Sequence, residues 1–184
     1  MRPLFTIHAG EFLVGEYLEK NYPKLNVWIP SKDTGVDLLV TNSANNKSVS
    51  LQVKLSRDYR SYHSEDPFES TLTAGGWFTL NHDKIAKSNA DYWVFILVSH
   101  DKKVKPSHIV ISPKELLARL TSIHGKSERY NFYAWVKNPH LALDGRGLSK
   151  PDKQKLLGGN LDLGRRDFSE YLEHWNPIQA LAGK

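Results

Sequence analysis

No cysteine occurs among the 184 residues, which excludes disulfide scaffolds, thiolate zinc sites and cysteine nucleophiles. Long hydrophobic runs are missing too: the longest, Trp93-Val94-Phe95-Ile96-Leu97-Val98, is far shorter than a membrane span. The N-terminus lacks the charged-then-apolar pattern of a secretory signal. The eight histidines show no HxH or HxxxH pairing, so a histidine zinc site is not expected. There is no GxxxxGK[ST] phosphate loop and no GxSxG elbow, and Asp144-Gly145-Arg146-Gly147 is too short for a dinucleotide fingerprint. The expectation is a soluble, cytoplasmic protein with no membrane partner. With 40% hydrophobic and 11% aromatic residues it can bury a core, and its length suits one domain spanning 1–184.

Charge is present in excess of one sign. The formal net charge is +5 and the pI is near 9.3, which points to an anionic partner. The surplus is local. Residues 102–129 hold seven Lys/Arg against two acids, and residues 146–166 hold six against two, so the remainder is slightly acidic. Two such tracts could line one face, or could simply keep the surface solvated.

Periodicity divides the chain into alternating elements. Ala9 to Asn21 reads as a helix stopped by Asn21 and Pro23. Strands are expected at Val27–Ile29, Gly35–Val40 and Val49–Leu55, the last two joined by the turn-forming 41–46. A short helix over 81–89 is followed by Tyr92–Val98, a continuous apolar run suited to a strand buried on both faces. After a strand at His108–Ile111, Ser112-Pro113-Lys114-Glu115 forms a capping box that opens a helix through Leu120. Phe132–Val136 reads as a last strand. Residues 141–166, with five glycines and many charges, read as a mobile basic loop, and 167–184 as a closing helix around Phe168–Trp175 with a tail. This order makes a mixed-sheet α/β domain. The five tryptophans are scattered and suit packing, with Trp77 after Gly75-Gly76 a candidate loop anchor.

Three segments carry candidate chemistry. On a helical wheel of about 100° per residue, Leu13, Val14, Tyr17, Leu18 and Tyr22 share one arc. Glu11 shares the arc of Val14, Leu18 and Tyr22, so its carboxylate should point to the core or a cleft and need a partner there. An acid in the first helical turn also suits the macrodipole and could simply reach water. In the third strand Val49, Leu51, Val53 and Leu55 alternate with Ser50, Gln52, Lys54 and Ser56, projecting Gln52 and Lys54 from one face. A wet-faced edge strand would show the same alternation. Asp37 interrupts an apolar strand, follows a glycine by two positions, and is folded back by the turn against the strand of Gln52 and Lys54.

Helical Gly10-Glu11, then Gly35-Val36-Asp37-Leu38-Leu39-Val40, then Leu51-Gln52-Val53-Lys54 resembles the PD-(D/E)xK nuclease superfamily, as a QxK variant of a stand-alone bacterial type. The likeness is closest over residues 9–56 and looser beyond. It implies an α/β, restriction-endonuclease-like mixed β-sheet flanked by helices. It also implies a Mg²⁺-dependent endonuclease (Mn²⁺ a possible substitute) hydrolysing phosphodiester bonds, with DNA the expected partner. Glu11, Asp37, Gln52 and Lys54 would form the catalytic set. Asp37 would be the principal metal ligand, joined by the Val53 carbonyl and the Gln52 side chain, with Glu11 holding a metal-bound water or a second ion. Lys54 would orient or deprotonate the attacking water. Such ligands suit magnesium, which takes hard oxygens and keeps several waters.

Position 52 departs from the pattern, being Gln where the family usually has Asp or Glu; an amide oxygen is a neutral, weaker ligand, although some branches carry it. Following Lys54, the stretch 56–63 interleaves Arg57, Tyr59, Arg60 and His63, residue types that contact phosphates and stack on bases. A solvated loop with its tyrosines folded back would look alike. Cutting both strands of a duplex with one site per chain would favour a homodimer. Two other readings keep the fold without the chemistry: a non-catalytic nucleic-acid-binding module, and a protein-interaction subunit of a defence system.

Overall fold

The computed structural model describes residues 8–32, 34–56, 67–97, 99 and 105–183. Arg57, Tyr59, Arg60 and His63 lie outside the described residues. Helix α1 spans Ala9–Asn21, as its periodicity predicts, and is followed by strands β1 (Leu25–Trp28), β2 (Leu38–Asn42) and β3 (Ser48–Ser56). Next come β4 (Ala74–Asn81), α2 (His82–Ala86), β5 (Tyr92–Leu97), β6 (Ser107–Ile111) and α3 (Pro113–His124). The chain continues through β7 (Arg129–Asn138), β8 (Leu141–Asp144), α4 (Lys150–Leu157) and α5 (Asn176–Gln179).

Among the described residues the strands form a five-stranded mixed sheet, β1-β2-β3-β5-β6, and a three-stranded antiparallel sheet, β4-β7-β8. Within the larger sheet only the β3–β5 pairing is parallel, because the chain must cross over between them, and β4 and α2 lie in that crossover. The protein is therefore a mixed α/β structure with helices against its sheets, which bears out the coarse expectation of the sequence.

Alternation along β3 and β5 separates two cores. Leu51, Val53, Val94 and Ile96 face one side with Leu38 and Val40, where α1 packs through Val14 and Leu18. Burying each such side chain contributes about 1.5–3 kcal/mol. Gly10 allows α1 to come this close, since an added Cβ would stand 3.0 Å from the Leu55 Cβ and 3.2 Å from the Val53 Cγ1. Trp93, Phe95 and Leu97 face the other side, where they meet Phe78, Leu80, Phe132 and Ala134 of the second sheet together with Leu116 and Leu120 of α3. That single cluster draws on both sheets.

Several expected elements differ. Residues 141–166 are not a loop: Leu141–Ala142–Leu143–Asp144 adds a strand to β7, and Ser149 caps α4 with Pro151 in its first turn and Asp152 closing a capping box. Its glycines punctuate the elements and do not dissolve them. Phe168–Trp175 is not a helix either. A 3-10 turn at Ser169–Tyr171 is broken before Glu173, whose φ of 52° lies in the left-handed region, and α5 begins only after Trp175. Phe168 and Trp175 are both buried, so their seven-residue spacing mimics a helical face while each fills a different core. Trp77 is not a loop anchor but a residue of β4.

Candidate functional site

Asp37 stands at the point where the β2–β3 ladder ends. The last paired residues are Leu38 and Leu51, and the next backbone bond, from the Asp37 N–H to the Leu51 carbonyl at 2.8 Å, belongs to Asp37 itself. Gly35, at φ +82°, supplies the left-handed turn that delivers the chain to this position. Asp37 Oδ2 then accepts from the Val53 N–H at 2.6 Å and from Gln52 Nε2 at 3.2 Å. Side chain thus replaces backbone as the acceptor for Val53, a buried residue of β3.

The hydrogen bond from Gln52 Nε2 puts the Asp37 carboxylate beside Gln52, and the two-residue period puts Lys54 on the Gln52 face of β3. Lys54 Nζ sits 5.4 Å from the centroid of the Trp93 ring, within cation–π range. Trp93 is the parallel partner of Gln52 across the β3–β5 ladder, so this face looks toward the second sheet. Asp37, Gln52 and Lys54 are all half-buried. Sequence reasoning missed Trp93 as the neighbour of Lys54; the signal lay in the parallel register, which no local pattern reveals.

Glu11 is buried, 9% exposed, on the arc it shares with Val14 and Leu18. Its Oε2 accepts from the His8 backbone N–H at 3.1 Å, closing a capping box at the start of α1. Gly10, its neighbour, packs on Val53 and Leu55, which alternate with Gln52 and Lys54 and so face the opposite side of β3. The structure therefore brings Asp37, Gln52 and Lys54 together directly and sets Glu11 on the helix packed behind them.

The donor set suits a hard cation. Asp37 Oδ1 and Gln52 Oε1 carry no hydrogen bond among the described residues, leaving two oxygens on one face for a ligand. No group of three or more His, Cys, Asp or Glu side chains gathers among the described residues, so any ion held here would keep a large share of water. Asparagine-rich turn 42–47, by contrast, is closed on itself, with Asn42 Oδ1 accepting from the Asn46 and Lys47 N–H groups.

The two basic tracts meet one another. Arg119 of α3, 8% exposed, donates to the carbonyls of Arg165 and Asp167, and its guanidinium pairs with Glu115 and Glu170 and lies over the Tyr171 ring at 4.8 Å. Arg166 donates to the carbonyls of Asp144 and Arg146, and Lys153 pairs with Glu69 at 3.3 Å. These cations hold loops in place. An open depression of about 400 Å³ between the tracts is lined by Ser122, Asp152, Asp162, Arg165 and Arg166, and by none of Glu11, Asp37, Gln52 or Lys54. No helix among the described residues is long and apolar enough to cross a membrane. In comparisons with known proteins, no family model, no curated protein and no solved structure matches the chain.

Proposed function

We propose that this protein is a Mg²⁺-dependent nuclease of the PD-(D/E)xK, restriction-endonuclease-like kind that hydrolyses phosphodiester bonds, with DNA as its expected substrate. The observation that supports the reading is the juxtaposition of Asp37, Gln52 and Lys54 on one half-buried face, with a carboxylate oxygen and an amide oxygen left open beside a lysine. The order of elements, α1 then β2 then β3, agrees with the resemblance that suggested it.

Magnesium would be held by Asp37 and Gln52, with the Val53 carbonyl as a further ligand; bound there, it supplies Lewis-acid activation of phosphate and of a water. The chain's own residues have separable tasks. Asp37 carries the negative charge that fixes the cation, and the Val53 N–H and Gln52 Nε2 orient its carboxylate. Lys54 places a positive charge where negative charge grows on the phosphate oxygens, and Trp93 beneath it holds the ammonium against the sheet. Glu11, on the helix behind, would have to exchange its His8 bond for a water to take part.

That engagement of Glu11 favours a second reading, a nucleic-acid-binding module that keeps the scaffold without the chemistry. Cleavage separates the two. Plasmid and single-stranded DNA are incubated with Mg²⁺ or Mn²⁺ and with wild type, Asp37→Asn and Lys54→Ala. The nuclease reading expects metal-dependent cleavage by wild type alone. Equal cleavage by all three proteins, or none by wild type, overturns it; salt-sensitive binding that survives Asp37→Asn would then support the second reading.

A further inference from the structure

The two sheets end in four edge strands, and among the described residues the chain's own groups bond to the outer side of three. Strand β6 meets Leu172 in a bridge at Ile109, and the Glu173 N–H donates to the His108 carbonyl at 2.7 Å. Strand β8 meets Asp167 in a bridge at Leu143, and the Phe168 N–H donates to the Ala142 carbonyl at 2.8 Å. At β4 the Trp77 N–H donates to Ser56 Oγ at 3.0 Å. Strand β1 is the exception. The Leu25 N–H goes to the Tyr22 carbonyl and the Asn42 N–H to the Lys47 carbonyl, so the Leu25–Asn42 pair exchanges no ladder bonds. Antiparallel pairs alternate, which gives the bonds with β2 to Asn26 and Trp28 and turns the N–H and C=O of Val27 outward. Among the described residues those two groups, the Leu25 carbonyl and the Ile29 N–H carry no hydrogen bond.

Leu25-Asn26-Val27-Trp28-Ile29 also contains no charged residue, the common guard of a bare edge. Trp28 and Ile29 are 51% and 39% exposed, and the indole N–H on Thr41 Oγ1 at 3.0 Å ties the Trp28 ring to β2. This stretch complements itself. Set antiparallel to a second copy about Val27, it brings Val27 opposite Val27, Leu25 opposite Ile29, and Asn26 opposite Trp28. The two Val27 residues then exchange both bonds, and each Ile29 N–H reaches a Leu25 carbonyl. Apolar side chains meet on the side where α1 packs, since Leu25 and Val27 belong to that core. Pro30, without an N–H, ends the pairing where the register runs out.

We propose that β1 pairs antiparallel with β1 of a second copy, centred on Val27, joining two five-stranded sheets into one continuous sheet and making the protein a homodimer. The two-fold axis of such a pair stands perpendicular to the sheet, so the Asp37, Gln52 and Lys54 sites of both copies face the same way. Two sites presented to one partner suit cleavage of both strands of a duplex. That consequence rests on the nuclease reading; the pairing itself needs neither metal nor nucleic acid.

The test is sedimentation equilibrium of the intact protein in EDTA from about 1 to 300 μM, where an interface this short should show monomers converting to dimers. Val27→Pro removes a donor that serves no bond within the chain, at an edge position where proline is tolerated, and should weaken dimerisation about 5- to 100-fold. Ile29→Lys lies outside the core clusters, puts a charge on the edge and should weaken it similarly, so it decides the matter if the proline variant does not fold. Because the chain has no cysteine, single cysteines read the register. Val27→Cys sets two thiols on directly opposite residues, with Cα atoms about 5.5 Å apart, and should give a covalent dimer with copper phenanthroline. Asn26→Cys, offset by two positions from its own copy, should not. A monomer at every concentration overturns the proposal, as does a dimer indifferent to both Val27→Pro and Ile29→Lys, or one that cross-links through position 26 and not 27. Failure of the nuclease reading would show separately, as a Val27-centred dimer with no metal-dependent cleavage.

Discussion

Removing the Asp37 carboxylate should loosen β3 before it affects any chemistry, and by an amount the geometry fixes. The Val53 N–H lies beyond the last β2 partner and is satisfied by Asp37 Oδ2 at 2.6 Å, in a residue only 8% exposed. Alanine leaves that donor buried without an acceptor, at about 1–3 kcal/mol. Asparagine keeps an acceptor oxygen in place and gives up only the charge assistance, about 1 kcal/mol. For a chain of this size each kcal/mol shifts the melting temperature about 2–4 °C. Asp37→Ala should therefore melt about 2–12 °C below wild type, and Asp37→Asn within about 4 °C of it. Circular dichroism melts at neutral pH measure both. Should Asp37→Ala melt with wild type, or Asp37→Asn fall as far as Asp37→Ala, the side chain is not what holds Val53. The same difference makes asparagine the variant of choice for the chemistry, because β3 stays formed.

Three further outcomes follow from the packing. Gly76→Ala forces a Cβ to 2.5 Å from Leu97 Cδ2 and 2.9 Å from Phe78 Cε2, and should cost about 1–3 kcal/mol in urea unfolding; an unchanged midpoint would mean that β4 does not press on β5 as described. Arg119→Ala leaves two part-buried carbonyls without their donor and removes the partner of the more exposed Glu115 and Glu170, and should lower stability by about 1–3 kcal/mol, with Arg119→Lys recovering only part; full recovery by lysine would rule out the forked geometry. Desolvation pushes up the carboxyl of the partly exposed Glu173, yet hydrogen bonds and charge from His108, with a bond from the Trp175 indole, hold it below the usual glutamate range. A depressed carboxyl stabilises above its unfolded value and loses that contribution as pH falls through its folded one. Glu173→Gln should accordingly be less stable than wild type at pH 7 and converge with it in acid, as melts across that range would show; a constant gap would refute the linkage.

How far the sequence was readable depends on whether each signal was local. Helix α1 emerged whole because its apolar arc and the Asn21–Pro23 stop lie within one stretch, and the Ser112 cap of α3 did so for the same reason. The capping box of α4 was as explicit in Ser149-Lys150-Pro151-Asp152, but glycines on both sides made the region look like a loop. Strand β4 was hidden similarly. Gly75-Gly76 reads as a turn, yet at Gly76 Leu97 and Phe78 occupy the space a side chain would need, and Trp77-Phe78-Thr79-Leu80 already alternated out and in.

The candidate site divides in the same way. Gln52 and Lys54 shared a face by a two-residue period that any reader of β3 could see, and the turn-forming stretch 41–46, which the structure sets at 43–47, folded Asp37 back toward them. Glu11 was placed correctly on the buried arc, but its bond to His8 follows from helix-end geometry, one of the two fates the first turn allowed. Nothing local could have put Trp93 under Lys54, since that contact arises from the parallel pairing of strands separated by β4 and α2. Nor could composition foretell that Arg119, Arg166 and Lys153 spend their charge on loops, so that the surplus of +5 overstates what remains for a ligand.

The central claim is that Asp37 and Gln52 hold a divalent cation beside Lys54, and calorimetric titration of Mg²⁺ and Mn²⁺ into the intact protein tests it most directly. The account predicts a saturable, one-site heat in wild type and in Lys54→Ala, and its loss in Asp37→Asn at a melting temperature within a few degrees of wild type. No saturable heat in wild type, or the same heat in Asp37→Asn, would contradict it.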